Sequence, residues 1–129
     1  MAARERMIEI CASDALVNGG HGVRFEVSVA GRPVPAFVVR FGGVVRGYLN
    51  RCAHVGIELD WQPGEFFDFD ALFLVCSSHG ALYDPATGEC AGGACTGRGG
   101  LRALKVVEQD GRVAWVPDVY AEAVGPKEG

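Results

Sequence analysis

The sequence predicts an all-β domain. Three observations carry that prediction: period-two alternation in residues 23–30, hairpin signals at Gly42-Gly43 and Asp110-Gly111, and no sustained helical period anywhere. In the first strand Val23, Phe25, Val27 and Val29 share one face. Segments 36–41 and 44–49 flank Gly42-Gly43 as the arms of a hairpin. Residues 72–75 are a short apolar run that delivers Cys76. Segments 104–108 and 113–116 are joined by Gln109-Asp110-Gly111-Arg112, a second hairpin. A single helical turn is expected near 13–16. Residues 120–129 lack an apolar pattern, end in Gly-Pro-Lys-Glu-Gly and are expected to be loose.

A chain of 129 residues predicts one domain. With 49% of residues apolar it can bury a core unaided, and 22% charged residues argue against disorder. Twelve Lys and Arg against sixteen Asp and Glu give a net charge of −4. That excludes a strongly basic nucleic-acid binder and suits docking on a basic patch of a partner protein. No apolar run approaches the roughly 18 residues that suggest a membrane span, and residues 1–10 lack the apolar stretch of a secretion signal. The expectation is a cytoplasmic protein with no nucleic-acid or membrane partner and with reduced thiols.

Five cysteines (Cys11, Cys52, Cys76, Cys90, Cys95) accompany only three histidines (His21, His54, His79). Two histidines sit beside cysteines. Cys52-Ala53-His54 is a C-x-H pair, and Cys76-Ser77-Ser78-His79 is a C-x-x-H pair. In a protein with reduced thiols such clustering reads as a metal site before it reads as a disulfide. Tetrahedral zinc is satisfied by two Cys and two His, but zinc pairs usually group like with like, whereas each pair here mixes one of each.

The order C-x-H … C-x-x-H resembles the Rieske 2Fe-2S proteins, in which two Cys hold one iron and two His the other. The run Gly80-Ala81-Leu82-Tyr83-Asp84-Pro85-Ala86-Thr87-Gly88 is similar to the family's H-G-x-x-[FY]-D-x-x-T-G motif. The strong resemblance covers residues 52–97. It implies a strand-built base, at about 8–49 and 101–117, and a cluster-binding subdomain at about 50–97 on two loops. Residues 118–129 would form a C-terminal tail. It also implies Cys52 and Cys76 on the buried iron, and His54 and His79 on the outer one.

Replacing two thiolates by neutral imidazoles removes two negative charges, so the oxidised cluster is formally neutral and reduction is easier. Family potentials lie at roughly −150 to +300 mV. The far imidazole nitrogens can lose a proton, so the potential should fall at high pH. Tyr83, four residues after His79, matches a Tyr whose hydroxyl donates to a ligand sulfur in high-potential members. The serine those members carry after the H-G is Ala81 here. The extra loop cysteines of respiratory members correspond to Ile57 and Ser78. A potential near the low end, raised slightly by Tyr83, is expected, unless the Tyr83 hydroxyl faces solvent. Family members also place Pro where this chain has Ser77, and a Gly-Pro where it has Gly93-Ala94. A missing Pro forfeits about 0.5–1 kcal/mol of backbone pre-organisation.

Residues 61–70 interleave Trp61, Phe66, Phe67 and Phe69 with Glu65, Asp68 and Asp70. They could form a docking face for a redox partner. A plug packed over the cluster edge is the favoured reading, since aromatics bury large areas. Residues 88–100 hold six glycines, which suggests a tight loop passing close to the cluster. Cys90 and Cys95 in that loop are expected as inert thiols, with a disulfide or redox-sensitive pair as alternatives. Cys11 reads as core and His21 as a turn residue.

Together these imply a small one-electron carrier between a reductase and a terminal oxidoreductase, with no substrate turnover of its own. After the cluster is built only His21 remains, so there is no mononuclear-iron triad. Three alternatives stay open: an electron-transfer subunit of an oxygenase or nitrite reductase, a zinc-stabilised interaction module without redox activity, and a sensor in which cluster oxidation or loss alters the binding of a partner.

Overall fold

The computed structural model describes residues 7–51, 58–60, 62–76, 80–93 and 99–124. Along these run β1 (Ile8–Ala12), a 3₁₀ turn (Ser13–Ala15), β2 (Val23–Val29), β3 (Arg32–Phe41) and β4 (Val44–Leu49). Then come β5 (Leu74–Val75), β6 (Leu82–Tyr83), β7 (Cys90–Gly92), β8 (Ala103–Gln109) and β9 (Arg112–Val116). All pair antiparallel, in a six-stranded sheet of order β1-β9-β8-β4-β3-β2 and a three-stranded sheet of order β5-β6-β7. The all-β prediction holds, as does the single helical turn. None of the described helices is long and apolar enough to cross a membrane.

Two-residue turns with left-handed backbone set the register of the larger sheet. Gly42 and Gly43 have φ of 61° and 81°, and Asp110 and Gly111 have φ of 54° and 75°. These are the paired positive φ values that a tight hairpin twisting with its strands requires. A third such turn, Ala30 and Gly31 at 53° and 78°, joins β2 to β3 and is absent from the sequence reading. Alanine carries a Cβ that disfavours this conformation, so the position gives no turn signal.

β3 begins at Arg32, four residues before the apolar pattern does, and contains Pro33 and Pro35. β4 ends at Leu49, opposite Ala36. The Asn50 amide donates to the Pro35 carbonyl at 2.8 Å, so that edge of Pro35 faces past the end of β4. The N–H groups that the prolines lack therefore lie on the side away from β2, beyond the last β3–β4 pair, and break no β2–β3 bond.

β3 is buried on both faces. Val34, Ala36 and Val38 point into the base core with Val27, Leu49, Val113 and Trp115, while Phe37 and Val39 point to the smaller sheet. The period-two geometry of one strand thus joins the two sheets.

The C-terminal segment departs from expectation. Ser28 and Glu122 exchange two backbone bonds of 2.6 and 2.8 Å, Ala121 is buried, and the Arg102 guanidinium lies 3.8 Å over the Tyr120 ring. Residues 118–122 are docked rather than loose. Residues 125–129 lie outside the described residues.

Candidate metal centre

β5 exists to deliver Cys76. Val75 donates from its amide to the Phe66 carbonyl at 2.8 Å, fixing the strand against the preceding segment. Cys76 itself is fully buried among Phe37, Tyr48, Leu59, Phe66, Leu74, Ala81 and Tyr83. Its amide donates to the Ala81 carbonyl at 2.9 Å, and the Gly80 amide donates to the Cys76 carbonyl at 2.8 Å. These two bonds form a stem from Cys76, Gly80 and Ala81; in sequence His79 falls between its two arms.

Gly80, at φ 74°, leaves that stem, and the chain passes it again at Gly93, at φ 73°. A Cβ on Gly93 would sit 2.2 Å from the Gly80 carbonyl oxygen, so only glycine allows this crossing. At Gly93 the glycine-rich stretch therefore lies against the stem of the second pair.

The Asp84-Pro85-Ala86-Thr87-Gly88 run folds on itself. Asp84 accepts from the Gly88 amide through its carbonyl at 2.7 Å and from the Ala86 amide through its carboxylate at 2.8 Å. The Thr87 hydroxyl accepts from the Glu89 amide at 3.2 Å. Tyr48 of β4 locks this turn by donating its hydroxyl to the Pro85 carbonyl at 2.7 Å. Burial pushes the Tyr48 phenol up to about 12, with the Asp84 charge adding to the shift and Arg46 opposing it. A Cβ on Gly88 would lie 2.7 Å from the Tyr48 ring, which explains the glycine of the motif.

Tyr83 is fully buried, paired with Leu74 on one side and Cys90 on the other. That removes the alternative in which its hydroxyl faces solvent. Residues 62–70 divide between buried and exposed aromatics. Phe66 is fully buried and stacks on Phe37, as a plug should. Phe67 packs at the edge, beside Phe41. Phe69 is fully exposed at the tip, where the Asp68 carboxylate accepts from the Leu72 and Phe73 amides. Asp68 is thus occupied in shaping the turn.

Cys52, His54, His79, Trp61 and Cys95 lie outside the described residues. Among the described residues no three His, Cys, Asp or Glu side chains converge as a metal site. Cys90 is disulfide-bonded, the stated alternative in place of the favoured inert thiol and a departure from the expectation of reduced thiols. Cys11 packs in the base core, where burial raises its thiol pKa. His21 is exposed in its turn, 3.8 Å from Glu65.

The residues present suit an iron–sulfur group. One thiolate donor is buried in an apolar wall, backbone glycines crowd beside it, and the sequence adds one Cys and two His on adjoining segments. The family model of the Rieske [2Fe-2S] domain matches residues 6–118. The chain belongs to the Rieske [2Fe-2S] domain family.

A Rieske domain binds a 2Fe-2S cluster and transfers electrons, which decides against the zinc-stabilised module. The fold is similar to that of the ferredoxin of carbazole 1,9a-dioxygenase from Nocardioides aromaticivorans IC177. Identity is 26% and the TM-score 0.66, over 87% of this chain and 98% of that one. The ferredoxin of Sphingomonas yanoikuyae B1 is 21% identical at a TM-score of 0.66, over 88% of this chain and all (100%) of that one. The terminal oxygenase of the Nocardioides system is 21% identical at a TM-score of 0.67. There the match covers 93% of this chain and 32% of that one. No curated protein sequence matches this chain.

Sequence reasoning missed Asn50 and Asp60, the buried polar side chains of the described residues. Neither carries a motif signal, because a long-range polar pair has no periodicity.

Proposed function

We propose that this Rieske protein is a one-electron carrier that takes electrons from a reductase and delivers them to a terminal oxygenase. Cys52 and Cys76 would hold one iron, and His54 and His79 the other. When bound, the 2Fe-2S cluster supplies single-electron chemistry at roughly −150 to +300 mV. The polypeptide sets access and potential. Cys76, in its apolar wall of Phe66, Leu74 and Tyr83, keeps water from the sulfur-ligated side. Tyr83, fully buried in the same cluster as Cys76, would offer its hydroxyl to a ligand sulfur and so favour the reduced state. The imidazole edges of His54 and His79 form the exit for the electron. The chain turns over no substrate and works in the cytoplasm.

The observation that carries this reading is the fully buried Cys76, tied by backbone hydrogen bonds to Gly80 and Ala81. Two of the structural neighbours are the ferredoxin and the terminal oxygenase of one dioxygenase system, which supports an oxygenase as the acceptor. The test of the ligand set is His79→Cys. The variant should show a lower midpoint potential and altered g-values in the reduced state, because thiolate replaces imidazole. Unchanged potential and g-values would remove His79 from the ligand set.

A further inference from the structure

Asn50 follows β4 directly and Asp60 lies ten residues on; the segment between them carries Cys52 and His54. Both side chains are buried. The Asn50 side-chain oxygen accepts from the Leu59 amide at 2.8 Å, and its Nδ2 donates to Asp60 Oδ1 at 2.9 Å. Asp60 Oδ2 accepts from the Gly64 amide at 2.9 Å, with Arg24 Nε 3.5 Å away. Arg24 also bonds Glu58. The chain therefore leaves β4 and returns at Leu59 through a neck closed by side-chain hydrogen bonds. Leu59 is fully buried in the same cluster as Cys76. The neck of the first ligand pair and the sulfur of the second thus share one packed wall.

We propose that the Asn50–Asp60 pair is a positioning device, which ties together the two ends of the segment bearing Cys52 and His54 beside the wall that holds Cys76. The inference rests on the ligand reading above. The pairing is chemically one-way. Asn50 must present its oxygen to Leu59 and its NH₂ to Asp60, and Asp60 needs both oxygens as acceptors. Asp60→Asn supplies one oxygen only, so its NH₂ meets either the Gly64 N–H or the Asn50 NH₂. Asn50→Asp sets two carboxylates face to face. The double exchange, Asn50→Asp with Asp60→Asn, restores the three hydrogen bonds to Leu59, Gly64 and between the pair, and gives up only the Asp60 ion pair of Arg24, which keeps Glu58. The carboxylate introduced at position 50 accepts from the Leu59 amide and from the carboxamide NH₂ introduced at position 60, and the carboxamide oxygen accepts from Gly64.

The test uses the loaded protein and its two single variants and double variant. Three quantities are read: the g-values of the dithionite-reduced cluster, the midpoint potential, and the rate of iron release to a chelator. Each single variant should release iron about tenfold faster than wild type, the effect of one unmatched buried polar group, and should shift the g-values. The double variant should recover both to within about twofold of wild type. Single variants that lose thermal stability yet keep the g-values and release rate would reduce the pair to a fold-stabilising contact and overturn the proposal. So would a double variant with the summed defects of the singles. Should a single variant fail to hold the cluster at all, recovery of the cluster in the double variant supports the proposal, and failure to recover it overturns it. A wild type that binds no iron and sulfide overturns the ligand reading itself; a loaded wild type with unaffected variants overturns only the positioning role.

Discussion

Phe37 of β3 and Phe66 stack with ring centroids 3.9 Å apart and planes 12° from parallel. That contact joins the base sheet to the segment that pairs with β5 and so supports Cys76 from below. Replacing Phe66 by Ala removes a fully buried ring and should destabilise the protein by about 3–5 kcal/mol. Phe69, three residues on and fully exposed, should tolerate Ala within about 0.5 kcal/mol. Urea denaturation of the two variants checks the contrast. Equal losses would mean that the plug is not Phe66.

Tyr48 predicts an alkaline weakness. Its phenol is raised from an ordinary value of 10.0 to about 12 by burial. The unfolded chain therefore releases this proton first. The stabilisation is complete below pH 10 and is lost as pH rises through 12. Tyr48→Phe should cost about 1–3 kcal/mol at neutral pH, because the Pro85 carbonyl loses its donor. In exchange, its stability should decline less than that of wild type between pH 10 and 12. Parallel declines would show that Tyr48 is not the titrating group.

Glu108 predicts an acid weakness. Arg40 grips its carboxylate with two bonds of 3.0 and 2.6 Å, holding the carboxyl at about 2 against an ordinary 4.5. A lowered pKa contributes stability above the ordinary value, and that contribution disappears as pH falls from 4.5 through 2. The same Arg40 also donates to the Leu16 and Ser13 carbonyls, anchoring the 3₁₀ turn. Glu108→Gln should be less stable than wild type at pH 7 and should lose less stability on going to pH 3. Denaturation at the two pH values measures the difference, and an unchanged wild-type slope would contradict it.

Tyr83→Phe keeps the packing of a fully buried ring and removes only the hydroxyl. With that donor gone the reduced state loses stabilisation, and the midpoint potential should fall. Voltammetry of the holoprotein decides, since an unchanged potential would leave Tyr83 with a packing role alone.

Much of the fold was legible because its signals are local. Gly42-Gly43 and Asp110-Gly111 declare their hairpins through residues that accept positive φ. Val23, Phe25, Val27 and Val29 declare one strand face through alternation. The misses were decided at a distance. Ala30 adopts positive φ because β2 and β3 are held together beyond it, and the prolines of β3 are tolerated because β4 ends opposite Ala36. Residues 118–122 dock through backbone bonds to Ser28 that no side-chain pattern announces. Of the four ligand candidates, Cys76 is placed, in a buried wall. Cys52, His54 and His79 fall outside the described residues, so their assignment stands on the motif and the family.

The most direct measurement is iron and sulfide analysis of protein purified without air, combined with a redox titration of its visible spectrum. The account predicts two irons and two inorganic sulfides per chain, colour that bleaches on reduction, and a midpoint within roughly −150 to +300 mV. Colourless protein free of iron and sulfide, or a midpoint near the roughly −400 mV of plant-type, all-cysteine clusters, would contradict it.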